Sequence, residues 1–366
     1  MFFGQSSILG LDIGSSQIKI VEIKKGRRWP RLLKVEVAPT PGGAILDGQI
    51  VQPRELAEHL RHLLVTAGIK TKRVVGSIGG KNVITRLIKV PVMPTKELQT
   101  ALRFEAEKYI PVPINELILD YLELGEVLAE GVRQKQIMLV AVARAVVETY
   151  CQVLLGAGLR PVALEIEPLA LWRSVGGMGK FSSPEATPDI FCLACLDLGA
   201  TITNLVICRN KQLQFSRVLS WGGNTITENL MQTFGWDFTR AENEKRSGRV
   251  AQPTGLAGDE AVLSTQIRVA IENTLSDLAY EVRRSLDYYR VQARDEGVQK
   301  IILCGGTASL TGLDTYLERE LGLPVKVGNP LLSYDDDLPI RQRKEAQKIA
   351  PATAVALGLG LREVIG

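Results

Sequence analysis

Residues 11–26 read LDIGSSQIKIVEIKKG and residues 196–211 read LDLGATITNLVICRNK. The two stretches share one pattern: apolar-Asp-apolar-Gly, two small residues ending in Ser or Thr, an alternating strand and a basic turn. In each, the Asp closes an apolar strand and presents its carboxylate at the strand tip. Gly14 and Gly199 admit a turn conformation with positive φ, and the small residues after them leave backbone N–H groups free to face a cleft. A single D-x-G-x-[ST] is an ordinary hairpin. Two copies at equivalent points of two meanders read as a duplication. Two such hairpins facing each other make a phosphate clamp whose carboxylates can hold a hydrated Mg²⁺.

The elements around the copies support an α/β chain. Around the first, Ile8–Ile13 is an apolar strand, Gln17–Lys24 alternates as a strand should, and residues 31–37 form a third strand. A Pro/Gly loop over 39–48 leads to an amphipathic helix over 54–67, stopped by Gly68. Around the second, strands are expected over 191–198, 202–209 and 212–219, then a helix over 225–234. Residues 83–168 carry the order β-α-β-β-α-β, with Thr95 as a helix cap, and read as one compact two-layer unit. A Gly/Pro/Ser-rich stretch over 176–188 reads as a hinge or loop, and 246–258 as a polar loop. Residues 262–294 are the strongest helix, with Leu263, Ile267, Ile271, Leu275, Leu278, Val282, Leu286 and Tyr289 recurring every three or four positions. A strand over 300–304 then runs into Gly305 and Gly306, a helix follows near 313–321, and a small-residue apolar helix over 352–364 closes the chain.

Composition narrows the class. The chain has 366 residues, 45% apolar and 23% charged, too apolar and too balanced for disorder. That length suggests two or three domains, with a core that needs no disulfides. Lys and Arg total 44 against 40 Asp and Glu, a net charge of +4, which argues against a protein that coats nucleic acid. Five cysteines, an odd number, fit a reducing compartment. The N-terminus lacks a basic region followed by an apolar stretch, so no signal peptide is expected, and no window approaches 18 uninterrupted apolar residues.

Several weaker signals have ordinary readings. Cys192 and Cys195 form C-x-x-C inside an apolar strand, where odd spacing points them to opposite faces, and no second pair completes a zinc site. His59 and His62 share a helix face without an acidic motif. Gly80 and Lys81 fail the P-loop pattern, because Val75 and Asn82 stand where Gly and Ser or Thr are required. Arg341, Arg343, Lys344 and Lys348 read as a solvated face.

The paired hairpins and the strand that runs into Gly305-Gly306-Thr307 resemble the actin, chaperone-ATPase and sugar-kinase fold, a duplicated ribonuclease H-like ATPase fold. Within it, the chain is similar to the PilM family of type IV pilus assembly. The carrying segments include ILGLDIGSSQIKIVEI, RFEAEKYIPVPINELILDY, LEIEPLALWR, LDLGATITNLVI, WGGNTITENL, IILCGGTASLTGL and PATAVALGLGLR. Tyr109, Pro111, Pro113 and Asp120 are the most family-specific residues among them.

The resemblance implies two lobes: 1–82 in the first, an inserted subdomain over 83–168, a connection over 169–189, a second lobe over 190–350 with a helical subdomain about 225–298, and a C-terminal helix over 351–366 returning to the first lobe. It implies ATP and Mg²⁺ as ligands. Asp12 and Asp197 would approach the Mg²⁺, through water. Gly14, Ser15, Ser16, Gly199, Ala200 and Thr201 would cradle the β- and γ-phosphates, and Gly305, Gly306 and Thr307 would line the adenosine. Lys19 would neutralise phosphate charge, or be an exposed strand lysine. Glu242 and Lys245 would contact ribose and base, or form a surface ion pair. Glu165 and Glu167 alternate about Ile166, and Glu167 is the candidate to position water.

For function, the resemblance implies a cytoplasmic ATP-binding scaffold, held peripherally at the inner membrane by the cytoplasmic N-terminal tail of a PilN-like bitopic membrane protein. Contact with other pilus platform proteins and the motor, a role in twitching motility, and homo-oligomers go with it. Nucleic acid and direct membrane insertion do not. Hydrolysis is expected to be weak or absent. The competing readings are an FtsA-like division protein, which would end in a basic amphipathic membrane helix, and a small-molecule kinase, which would need a catalytic base.

Overall fold

Two five-stranded sheets of matching design form the frame of the molecule. A computed structural model describes residues 7–365 except 28, 47, 111, 130, 178–191, 248–257 and 295. The first sheet begins as a meander of β1 (Ile8–Ile13), β2 (Gln17–Lys24) and β3 (Arg31–Pro39). The short pair β4 (Ile45–Leu46) and β5 (Gln49–Ile50) leads to helix α1 (Pro53–Thr66) and to β6 (Arg73–Ile78), which joins β1 in parallel. The inserted part follows as β7 (Val83–Pro91), α2 (Thr95–Tyr109), β8 (Leu117–Ala129) and β9 (Val132–Ala143). Helix α3 (Arg144–Gly156), β10 (Arg160–Ile166) and the short α4 (Glu167–Leu171) complete this half.

The second half repeats the plan. A meander of β11 (Cys192–Leu198), β12 (Thr203–Arg209) and β13 (Gln212–Leu219) is followed by helices α5 (Gly223–Phe234), α6 (Phe238–Arg246) and α7 (Asp259–Ala293). Strand β14 (Lys300–Cys304) then joins β11 in parallel, as β6 joins β1. Helix α8 (Leu313–Leu321) and β15 (Val325–Val327) complete this sheet, and α9 (Ile340–Ile349) and α10 (Ala354–Ile365) end the chain. The strand orders are β3-β2-β1-β6-β10 and β13-β12-β11-β14-β15. The duplication read in two sixteen-residue stretches therefore extends to whole sheets.

Each sheet is apolar on both faces because helices cover both. On one face of the first sheet, Leu9, Leu11, Ile18 and Ile20 pack against α1 and α3 through Leu56, Leu60, Val153 and Leu154. On the other, Ile8, Val21, Ile23 and Val75 pack against α10. The expected apolar stripe of α7 seats Ile267, Ile271, Leu275, Leu278 and Val282 on the second sheet. No helix among the described residues is long and apolar enough to cross a membrane.

The expected unit over 83–168 has its elements in the expected order but not one closed packing. Strands β7, β9 and β8 form a separate three-stranded sheet, covered by α2 through Leu98, Leu102 and Ala106. Strand β10 instead pairs in parallel with β6 of the first sheet, and α3 contributes Tyr150, Val153 and Leu154 to that lobe's core. The reason is burial. Val153 and Leu154 find an apolar partner in α1, whereas the small sheet has already covered one face with α2. Thr95 begins α2 without capping it, since the cap position is Pro94 and no side chain bonds there.

The small residues of α10 have a steric purpose. A Cβ built on Gly358 would lie 1.8 Å from the Ala170 carbonyl oxygen, so the helix can approach α4 only without a side chain there. We predict that Gly358→Ala destabilises the chain by about 2–3 kcal/mol through overpacking, read as a lower midpoint in urea denaturation. An unchanged midpoint would show that α10 is not clamped at this point.

Candidate functional site

The matched hairpins bring their tips together between the lobes, where the Ser15 and Thr201 hydroxyls lie 3.3 Å apart. Both turns close with the same bond, Gly14 N–H to the Gln17 carbonyl at 3.0 Å and Gly199 N–H to the Ile202 carbonyl at 2.9 Å. The positive φ expected at Gly14 and Gly199 is not found, since neither is among the positive-φ glycines. Space is the constraint instead: a Cβ on Gly199 would lie 2.9 Å from the Ile202 oxygen. A cleft of about 630 Å³ opens beside the tips. Of the expected site residues, all line it except Gly305.

Register explains the chemistry at its floor. Asp12 faces Lys19 across β1 and β2, and Asp197 faces Asn204 across β11 and β12. Lys19 Nζ lies 2.9 Å from Asp12 Oδ2, and the Ser77 hydroxyl at the end of β6 donates to Asp12 Oδ1 at 3.2 Å. Lys19, its side chain 14% exposed, is thus a largely covered partner of Asp12, not an exposed strand lysine. Asn204 Nδ2 donates to Glu167 Oε2 at 2.7 Å and lies 3.5 Å from Asp197 Oδ2. Its Oδ1 is buried with no partner.

Glu167 reaches this cluster because β10 ends at Ile166 and α4 begins at Glu167. The alternation about Ile166 holds, and Glu165 turns away to meet Arg173 with contacts of 2.9 and 2.6 Å. Gly79 makes room for Glu167, since a Cβ there would sit 2.0 Å from the carboxyl carbon.

Three carboxylates share one lysine here. Burial, then repulsion from Asp12 and Asp197, pushes the Glu167 pKa up to about 8, against the pull of Asn204 and Lys19. Burial, then Asp12, pushes Asp197 up to about 6. Burial opposes the charge of Lys19, but Asp12, Asp197 and Glu167 outweigh it and its pKa is raised. Burial and Asp12 also raise the Tyr150 phenol, which stays neutral.

The far wall comes from the second lobe. Gly305 adopts φ of +87°, with space for no Cβ beside the Leu198 backbone, and directs Gly306 and Thr307 into the cleft. Thr307 Oγ1 donates to the Gly199 carbonyl at 3.0 Å. On α6, Lys245 is buried and donates to the Gly223 carbonyl at 3.1 Å and Thr227 Oγ1 at 2.9 Å, while its Nζ lies 2.6 Å from Glu242 Oε2. This is an ion pair with a buried lysine and a half-buried glutamate, not the surface pair that was the alternative.

The residues fit a hydrated cation with a polyphosphate. Asp12, Asp197 and Glu167 bring excess negative charge to the cleft floor, while glycines and hydroxyls line its walls. Among the described residues, no three acidic, cysteine or histidine side chains converge to hold a metal ion directly.

Sequence reasoning missed Ser77, Gly79, Tyr150, Asn204 and Gly223, all of which line the cleft. Asn204 was within reach, because it lies seven residues after Asp197 as Lys19 does after Asp12. Tyr150 carried no local signal. Lys348, placed on a solvated face, is exposed and pairs with Glu345 at 2.8 Å, yet also borders the cleft. Cys192 and Cys195 point into different cores, as their spacing required. Pro111 and most of the 176–188 stretch lie outside the described residues.

The profile of the family described as "Type IV pilus assembly protein PilM" matches residues 10–364. A solved "PilM-PilN type IV pilus biogenesis complex" contains a chain 33% identical to this one, with a TM-score of 0.83 and 99% of each chain covered. The cell division protein FtsA of Streptococcus pneumoniae is 23% identical over 359 residues, 88% of this chain and 75% of that one. The ethanolamine utilization protein EutJ of Carboxydothermus hydrogenoformans is 16% identical with a TM-score of 0.55, covering 98% of this chain and 90% of its own. MreB5 of Spiroplasma citri bound to ADP is 13% identical with a TM-score of 0.51, covering 98% and 96%. These last two share the actin-like fold.

Glu167 makes stability depend on pH. Its pKa lies above the ordinary 4.5, so its contribution is fully present below about pH 4.5 and lost as pH rises through about 8. Glu167→Gln removes that loss while keeping an oxygen for Asn204. The thermal midpoint of the variant should exceed that of the wild type by a margin that widens between about pH 5 and pH 9. A margin that stays constant over that range would contradict the placement of the carboxyl.

Proposed function

This chain belongs to the PilM family of type IV pilus assembly proteins, and we propose that it binds ATP with Mg²⁺ in the interlobe cleft and serves as a scaffold at the inner-membrane platform of the pilus. The observation that carries the nucleotide reading is the pair of hairpin tips meeting at Ser15 and Thr201, above carboxylates that one lysine cannot neutralise.

In this reading the tips around Ser15, Ser16, Ala200 and Thr201 hold the β- and γ-phosphates. Lys19, already paired to Asp12, offsets phosphate charge. Asp12 and Asp197 accept from the waters of the cation, which supplies neutralising charge when bound. Thr307, Gly306 and the Glu242–Lys245 pair bound the nucleoside. Glu167, held by Asn204 Nδ2, is the group placed to orient water. Its raised pKa keeps it protonated near neutral pH, which suits retention of ATP over rapid turnover.

The partner we propose is the cytoplasmic N-terminal tail of a PilN-like bitopic membrane protein. The support is that the similar solved structure is a complex of PilM with PilN. Attachment to the inner membrane would then be through that protein. Motility by pilus retraction, and contact with other platform proteins and the motor, follow from the same reading. The FtsA similarity is weaker than the whole-chain PilM match and does not favour a division role.

The test is calorimetric titration of ATP with Mg²⁺ into wild type and Asp12→Ala, with pull-down by the tail of the adjacent bitopic membrane protein. Loss of the carboxylate should weaken Mg²⁺-dependent ATP binding by about 10- to 100-fold and leave Mg²⁺-free binding less affected. Equal affinity in the two proteins would remove Asp12 from the site. Efficient phosphorylation of a small molecule would overturn the scaffold reading.

A further inference from the structure

The β2–β3 turn is basic and aromatic. Residues 24–31 read KKGRRWPR, with five basic side chains and no acid. The duplication shows that the fold does not require such a turn. In the second copy, Arg209 pairs with Gln212, and residues 210 and 211 alone close the hairpin. In the first, Lys24 pairs with Arg31, and residues 25–30 close it. The second turn is also tied to the interlobe connection, since Trp172 Nε1 donates to the Lys211 carbonyl at 2.8 Å. The first turn projects from its lobe. Lys25 and Arg27 are exposed, and Trp29 is 50% exposed. Its shape is nonetheless fixed. A Cβ on Gly26 would lie 2.0 Å from the Trp29 carbonyl oxygen, so only glycine allows the chain to fold back there, and Pro30 is buried.

Register gathers more positive charge at the same end of the first sheet. Ile23 pairs with Ile8, and Leu9 with Val74, so Lys24 and Arg73 both stand level with the start of β1. Arg160 pairs with Arg73, and Lys70 and Lys72 lead into β6. Four of the five strands thus bring a lysine or arginine to one edge. Three described acids share it. Asp337 pairs with Arg31 at 3.2 Å, Glu363 pairs with Arg73 at 3.4 Å, and Glu22 accepts from Thr71 at 2.5 Å. Lys24, Lys25, Arg27, Lys70, Lys72 and Arg160 have no acidic partner among the described residues. The whole chain carries a net charge of only +4, so this edge is a concentration of charge. It lies opposite the cleft. Asp12, Ser77 and Glu167 stand at the far ends of β1, β6 and β10, and the length of β1 separates the two ends by on the order of 20 Å.

We propose that this edge binds the surface of an anionic phospholipid bilayer, with its basic side chains on headgroup phosphates and Trp29 at headgroup depth. Lysines and arginines near such a surface are drawn by its negative potential, each giving roughly a fivefold gain in affinity. Tryptophan favours the same depth, because its ring is apolar and its N–H reaches water. An exposed tryptophan among cations distinguishes this edge from an ordinary solvated face. A nucleic acid would meet the same charge, but single strands are held by a series of aromatic rings on which successive bases stack, and this turn offers one. The contact is adsorption rather than insertion. It turns the cleft away from the bilayer and leaves it open, and it adds to attachment through a partner's tail. The choice of lipid rests on the proposed place at the inner membrane, whereas the edge itself does not depend on what the cleft binds.

Vesicle co-sedimentation of the full chain tests it. Neither nucleotide nor partner tail is present, so the proposal can fail while both of those readings stand. Vesicles of phosphatidylcholine with about one-third phosphatidylglycerol should carry the chain down, and pure phosphatidylcholine should not. Salt at about 0.5 M, where the screening length falls to roughly 4 Å, should release it. Lys25→Glu with Arg27→Glu should weaken binding more than about tenfold. Arg284→Glu with Arg290→Glu, exposed on α7 and equal in charge change, should alter it less than about twofold. Tryptophan emission should shift to the blue on the anionic vesicles, and Trp29→Ala should abolish the shift. Circular dichroism checks that each variant is folded. A chain that stays in the supernatant with anionic vesicles overturns the proposal. So does equal weakening by the two double variants, which would reduce the effect to net charge. A DNA duplex bound as tightly as the vesicles would mark a general polyanion surface and overturn the assignment to lipid.

Discussion

Three clustered carboxylates that share one lysine set the constraint on which the structure depends. Asp12, Asp197 and Glu167 come from three different elements and meet at the one place where both lobes, and the turn between β10 and α4, end. Placing them together costs stability, as the raised values of Glu167 and Asp197 record. A fold retains such a cost where a ligand of opposite charge relieves it. The surrounding features serve that purpose. Lys19 and Ser77 hold Asp12, Asn204 holds Glu167, and Gly79 gives Glu167 its room.

The duplication supplies these groups by register. Position seven after each aspartate lies opposite it on the next strand, and the two copies fill that position differently. In the first, a lysine neutralises its aspartate. In the second, an asparagine bridges Asp197 to Glu167 through its Nδ2, and its Oδ1 is buried without a partner. Nearly identical backbones therefore give one side whose aspartate is neutralised by a lysine and one whose aspartate is held only by an amide, and the asymmetry gives the site a direction.

Much of this was legible in the sequence because it was local. The D-x-G-x-[ST] turns, the apolar strands, the Gly305-Gly306 junction and the stripe of α7 each depend on residues a few positions apart. The partition of the 83–168 region was not legible. Strand β10 and the strands of the small sheet have similar patterns, and only the tertiary choice of α1 as a partner for α3 sends β10 to the first sheet. Tyr150 and Ser77 were invisible for the same reason, since both reach the cleft across tens of residues from any motif. The burial of Lys245 and the partial burial of Lys19 likewise follow from packing that no spacing rule encodes.

The central claim is that the two hairpins act as one clamp on a Mg²⁺-bound polyphosphate. Hydrogen–deuterium exchange of the full chain, with and without ATP and Mg²⁺, tests it most directly. Ligand should slow exchange together at the amides of residues 14–17 and 199–202, which lie far apart in sequence and meet only at the cleft. Protection of one turn without the other, or of neither, would contradict the account.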